Sequence, residues 1–280
     1  MIINSHLYPS YFVDSDWKSG GDPVSAERLI ELLDGPYPVM GRERRIDYGI
    51  VQAPPGDTIT PDDYIGGVEG IRKYMAPVVD VVEQAPDRLI GCFTYNPRYG
   101  VEDGVAEFER LVKENGFKLL KINSNNHAYR PDRATNWLFP ALEKAEELGV
   151  PVVYHMGETP YAMPSQFYPA IDHCPNSKHI MGHFFKVPDT FCHDAEWMAK
   201  RNENVWVETG WCTPKRMVEF VELLGPEKLI FAIDTPPNNP GIVFQMLETL
   251  TEAPPIGLNL SADDLEKILG DNMAKLLGLL

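Results

Sequence analysis

Short apolar, β-branched runs recur along the whole chain, and helix-like stretches separate most of them. The runs are MIINSH, IDYGIVQA, LIGCFTY and FKLLKIN, then PVVYHMG, HIMGHFF, VWVETGW and LIFAIDT. Apolar residues at helical spacing mark GVAEFERLVKEN before the fourth run, LFPALEKAEELG before the fifth and TPKRMVEFVELLG before the eighth. Strands alternating with helices predict βαβ units and a parallel sheet. Eight such strands in 280 residues is the count of a single-domain (β/α)8 TIM barrel spanning residues 1–280. An open doubly wound sheet is the rival arrangement, but no GxGxxG opens any of the helices. The chain closes with SADDLEKILGDNMAKLLGLL, an amphipathic helix with Ser261 and Asp264 at capping-box spacing. Asn272 within it is expected to satisfy backbone groups. The proline-dense VQAPPGDTITPDD and TEAPPIGLNL read as long surface loops, because periodic segments continue on both sides.

Composition narrows the partners. With 44% hydrophobic and 24% charged residues the chain reads as a soluble globular protein. No apolar run reaches the length of a bilayer span, and no basic region followed by an apolar stretch opens the chain. The expectation is a cytoplasmic protein with no membrane partner. A formal net charge of -16 argues against a nucleic-acid surface, which needs clustered Lys and Arg. A small molecule is the expected partner, and a homo-oligomer is left open. Cys92, Cys174, Cys192 and Cys212 form no CxxC pair, so they are expected to be buried free thiols.

In a parallel barrel the active site is built at the C-terminal ends of the strands. His6 ends the first run, His155 the fifth, His183 the sixth and Asp234 the eighth. Each alone suits a hydrogen-bonded core or turn residue. Together, imidazoles plus one carboxylate form a set suited to zinc or another divalent transition metal. His173 and His179 fall in a helix-to-strand connection at the opposite face, and His193 falls on a helix. His127 follows the fourth strand, where a loop histidine can reach the site but ordinarily does not. Arg98, Arg130 and Lys186 follow the third, fourth and sixth strands and can pair with an anionic substrate, or simply sit solvated. Glu158, just after the fifth, joins the candidate substrate contacts. Tyr8, Tyr11, Phe12, Phe184, Phe185 and Trp211 near these loops suit a ring-sized ligand, though core packing explains them equally well.

Taken in order, these pieces resemble the amidohydrolase superfamily, and within it the amidohydrolase-related (amidohydrolase 2) branch. That branch includes aminocarboxymuconate semialdehyde decarboxylase, resorcylate-type decarboxylases and pyrone dicarboxylate lactonase. MIINSH stands for the opening I-D-x-H-x-H, GVPVVYHMGE and HIMGH carry the fifth- and sixth-strand histidines, and EKLIFAIDTPP and ILGDNMAKLLGL match the close. The resemblance implies one divalent metal, zinc before manganese, with His6, His155 and Asp234 as ligands. It makes Asp234 a proton-transfer group as well and His183 a catalytic acid or base beside the metal. Lys121 lies where other branches carry a carboxylated lysine bridging two metals; here it is expected to contact substrate or to be structural.

The opening motif departs from the pattern. Aligned from the start of the chain, Asn4 replaces the aspartate and Tyr8 the second histidine. Shifted by two, His6 is the second histidine, Asn4 the lost first one, and Pro9 fits an H-x-H-x-x-P form. In both registers one histidine is missing, so a weakened metal site is expected, with Tyr8 facing the substrate as a hydrogen-bond donor. Three functional readings follow. A metal-assisted hydrolase working through activated water comes first. A nonoxidative decarboxylase of a small aromatic or unsaturated acid is the alternative, and a metal-independent lactonase-like or degenerate binding barrel is the third.

Overall fold

All eight apolar runs become strands of one parallel barrel. The computed structural model describes residues 1–9, 24–53, 66–157, 160–183, 189–235 and 238–280. The first strand, β1, spans Ile3–Leu7, and a short antiparallel hairpin, β2 (Tyr37–Val39) and β3 (Arg42–Arg44), stands outside the barrel. The remaining barrel strands are β4 (Tyr48–Val51), β5 (Leu89–Tyr95), β6 (Leu119–Ile122), β7 (Val152–His155), β8 (His179–Gly182), β9 (Val205–Glu208) and β10 (Leu229–Ile230). They pair in parallel in the order β1-β4-β5-β6-β7-β8-β9-β10. A parallel bridge between Leu7 and Thr235 closes the ring, helped by the Ser5 N–H donating to the Phe231 carbonyl at 3.2 Å.

The expected helices lie between the strands. They include α1 (Ala26–Asp34), α2 (Gly67–Gln84), α3 (Val101–Asn115), α4 (Thr135–Leu148), α5 (Tyr168–His173), α6 (Asp189–Arg201), α7 (Pro214–Leu224) and α8 (Pro240–Glu248). Their buried stripes pack on the outward side chains of the strands, and this layer holds most of the core. The hairpin carries no alternating apolar signal in the sequence. Its turn places Met40 at φ 51° and Gly41 at φ 69°, the paired left-handed conformation that a two-residue hairpin connection requires.

The barrel floor is a separate cluster. Ile3, Ile50, Leu119 and Ile180 point inward and meet Met273 and Leu276 of the closing helix, so that helix plugs the N-terminal end of the barrel. The helix begins as predicted: the Ser261 hydroxyl accepts the Asp264 N–H at 3.1 Å and donates to the Asp264 carboxylate at 2.7 Å. It continues as α9 (Ala262–Glu266), a π-helical turn (Lys267–Asp271) and α10 (Asn272–Leu277). At Gly270 a Cβ would lie 2.2 Å from the Met1 carbonyl oxygen, so only glycine lets the helix press on the start of the chain. Asn272 donates to the Pro226 and Leu229 carbonyls at 2.8 and 2.9 Å, the backbone role expected of it. The four cysteines are free and buried. Among the described residues, no helix is long and apolar enough to cross a membrane.

Candidate active site

The site begins with an irregularity in β1. Asn4 pairs with Gly49 and Leu7 with Val51, so β1 carries one extra residue between them. Such a bulge breaks the in–out alternation and re-aims side chains. Below it, Ile3 faces the barrel floor. Above it, Leu7 faces outward, since a Cβ on Gly49 would lie 2.7 Å from Leu7 and 3.3 Å from Leu33 of α1. His6 and Tyr8 are thereby turned to the inside. Asn4, a lost ligand in one alignment and a lost aspartate in the other, fixes the bulge instead. Its Oδ1 accepts the N–H groups of His6 at 3.2 Å and Ile233 at 2.9 Å.

His6 is fully buried at the centre of a charged cluster. Its Nδ1 lies 2.8 Å from Glu208 Oε1, while its Nε2 lies 2.9 Å from the Tyr8 hydroxyl and 3.0 Å from Lys121 Nζ. An ionised carboxylate only accepts hydrogen bonds and an ammonium only donates. The partners therefore assign His6 as the neutral tautomer with its proton on Nδ1 and its Nε2 lone pair turned into the barrel. A carboxylate behind a histidine in this way is the arrangement that orients metal-binding imidazoles. Asp234 Oδ1 stands 3.8 Å from that same Nε2.

Burial alone would raise the Glu208 carboxyl, but its interaction with His6, the nearby Lys121 and the Ser5 hydroxyl at 3.2 Å outweigh it and hold the group below its ordinary range. The Tyr8 phenol moves the other way. Burial first, then the charge of Asp234 and a hydrogen bond to it, push it well above the ordinary tyrosine value, so Tyr8 is a neutral donor.

Three of the four strand-end residues meet. One ligand atom each from His6, His183 and Asp234 lie within 4.8 Å of one another, all buried. The ring of His183 is 4.2 Å from that of His6, and the ring of His155 is 4.8 Å from that of His183. The Asp234 carboxylate is held from one side by the Trp211 indole N–H on Oδ2, while its buried Oδ1 has no hydrogen-bond partner among the described residues. An orphaned carboxylate oxygen beside an imidazole lone pair is a donor set that fits a divalent cation. His183, Trp211 and Asp234 have φ of 56°, 61° and 68°. Left-handed conformations in residues with side chains are uncommon and gather at functional sites. Gly210 makes room for the cluster, since a Cβ there would lie 3.1 Å from His183 Nδ1 and 3.2 Å from Glu208 Oε1.

The other candidates are spread more widely. Lys121 is buried on β6 and touches His6. Arg98 clasps the loop after β6, donating to the carbonyls of His127 at 2.5 Å and Ala128 at 2.9 Å. Arg130 is half exposed and makes a two-pronged pair with Asp132 at 3.0 and 2.8 Å. Glu158, Lys186, Tyr11, Phe12, Phe184 and Phe185 lie outside the described residues. His173 pairs with Glu143 and stacks on Phe139, and His179 bonds the Tyr154 hydroxyl and the Cys174 carbonyl; neither reaches the site. His127 is buried against Tyr74, and its pKa is lowered to about 3 by burial and then by Arg98 and His155, which makes it a neutral imidazole close to the cluster. Glu208 had no place among the sequence candidates, although it too ends an apolar run, VWVE.

A family model described as amidohydrolase matches residues 6–279. The chain belongs to the amidohydrolase family. Solved structures share its fold over nearly their whole length. The 5-carboxyvanillate decarboxylase of Sphingomonas paucimobilis is 17% identical, with 99% of this chain and 98% of that one covered at a TM-score of 0.68. The 2,6-dihydroxybenzoate decarboxylase of Rhizobium is 16% identical, covering 99% and 98% with a TM-score of 0.68. The dihydroxybenzoic acid decarboxylase of Polaromonas sp. JS666, which holds manganese and the inhibitor 2-nitroresorcinol, is 18% identical, covering 99% and 97% with a TM-score of 0.68. No curated protein matches.

Proposed function

We propose that this amidohydrolase-family protein is a metal-dependent nonoxidative decarboxylase of a small aromatic or unsaturated carboxylic acid. The observation that carries the proposal is the convergence of His6, His183 and Asp234 within 4.8 Å. It lies in a barrel that matches decarboxylases end to end. Hydrolysis, placed first by the sequence, needs the same residues, and the kinship of the fold to aromatic-acid decarboxylases favours loss of carbon dioxide over it.

A divalent ion held by His6, His183 and Asp234, with His155 beside them, would supply positive charge for the carboxylate and phenolate oxygens of the acid. Nitrogen and oxygen donors without thiolate suit manganese as well as zinc, and the Polaromonas relative holds manganese. Glu208 fixes the His6 ring and its tautomer. Tyr8 and Lys121, the two groups beside His6 Nε2, are the best-placed contacts for substrate oxygens. Asp234, anchored by Trp211 through one oxygen, is the group that moves the proton. A proton is added to the carbon bearing the carboxylate. The C–C bond to that carboxylate then breaks, its electron pair returns to the ring or conjugated system, and carbon dioxide leaves.

The test is a panel of hydroxylated benzoates, unsaturated diacids, lactones and amides, offered to protein loaded with Mn²⁺ or Zn²⁺. The expected result is carbon dioxide from an acid, falling by roughly 100-fold or more in Asp234→Asn. Hydrolysis of a lactone or amide with no carbon dioxide from any acid would replace this reading with the hydrolase.

A further inference from the structure

The Nε2 lone pair of His6 has competing claims: the Tyr8 hydroxyl at 2.9 Å can turn its proton to Asp234 instead, but an ammonium can only donate. The lone pair faces the cluster that fits a divalent ion, and it also lies 3.0 Å from Lys121 Nζ. An imidazole nitrogen that binds a metal points its single lone pair at the ion from about 2.0–2.1 Å. That lone pair cannot at the same time accept an N–H from an ammonium. The other His6 nitrogen offers no way out, since Glu208 Oε1 holds it at 2.8 Å. Charge adds to the conflict. Among the described residues the cluster holds two carboxylates, Glu208 and Asp234, and the Lys121 ammonium. The ammonium already compensates charge that would otherwise draw in a cation. Both Lys121 and His6 are buried, so water screens their interaction little.

We propose that Lys121 and a divalent ion are alternatives at one position, so that the ion loads only by displacing the ammonium from His6 Nε2. Lys121 then determines how tightly this chain holds metal, on top of the missing first-strand histidine. This inference rests on the metal reading given under the proposed function. In the absence of metal the ammonium holds the His6 ring from the side opposite Glu208. With metal present, Lys121 gives up its place on the lone pair.

The test is a calorimetric titration of Mn²⁺ into the full chain and into Lys121→Met, with circular dichroism to verify folding. Methionine keeps the length of the buried side chain and removes the charge and the donor. The expected result is at least tenfold tighter binding in Lys121→Met and no such gain in Lys121→Arg. Lys121→Gln serves the same purpose should the methionine variant not fold. Should neither fold, NMR of the Lys121 side chain in the wild-type protein replaces them, and the signal must shift in step with added Zn²⁺. Equal or weaker binding in the charge-free variants, or a lysine signal indifferent to bound Zn²⁺, overturns the competition and leaves the metal reading standing. Binding by neither wild-type nor variant protein removes the metal reading along with it.

Discussion

The groups that hold His6 decide what its second nitrogen can do. Glu208 receives the Nδ1 proton, and the lone pair of Nε2 follows from that. Glu208→Ala leaves the ring without its partner, and loss of such a supporting carboxylate weakens metal binding by roughly 10- to 100-fold. A titration with Mn²⁺ reads that loss directly, and unchanged affinity would remove Glu208 from the site. His6, His155, His183 and Asp234 were legible in the sequence because each is a polar residue ending an apolar run. Glu208 ends one too, but a lone glutamate before Thr-Gly reads as an ordinary turn acid. Its partner lies 202 positions away, and nothing local announces it. Asn4 and Tyr8 were visible as departures from the family pattern. What the sequence could not express was the extra residue in β1, which turns His6 and Tyr8 inward together and gives Asn4 to the backbone.

At the scale of elements, helix pairs are fixed by a few charges as well as by their apolar stripes. Glu107 on α3 is nearly buried and receives Arg72 of α2 at 2.7 Å and Arg110 at 2.9 Å. Burial would raise its carboxyl, but the hydrogen bonds and charges of the two arginines hold it below its ordinary value. A depressed carboxyl stabilises the fold above its unfolded pKa of about 4.3, and that stabilisation is lost as pH falls through the lower folded value. Because both arginines are partly exposed, the effect is expected to be about 1 kcal/mol. Glu107→Gln should therefore lower stability to urea at neutral pH and match the wild type at about pH 2. A deficit that persists at that pH would mean a packing role instead. The long strands and helices were legible from periodicity. The β2–β3 hairpin was not, because its strands are three residues each and one of them reads Arg-Glu-Arg. Short strands outside the barrel have no buried face to impose alternation.

For the whole molecule, the closing helix is what makes the barrel a one-sided vessel. Met273 is buried against inward residues of the strands, and the helix seals the floor beneath the site. Met273→Ala opens a cavity there and should cost about 2–5 kcal/mol in urea unfolding. A loss under 1 kcal/mol would show that the floor packs without it. The barrel itself was readable as eight strand-like runs in order, and the amphipathic close was readable as a helix. That the helix reaches back to plug the far end is a tertiary fact, visible only in contacts such as Gly270 against Met1.

If His6, His183 and Asp234 form one metal-holding, proton-moving centre, titration of Mn²⁺ into wild-type, His183→Asn and Asp234→Asn protein will reveal it. The expected isotherm shows a single site in the wild type, weakened at least tenfold by either substitution. An isotherm unchanged in His183→Asn would contradict it, by taking His183 out of the donor set and returning it to the role of an acid or base beside the ion.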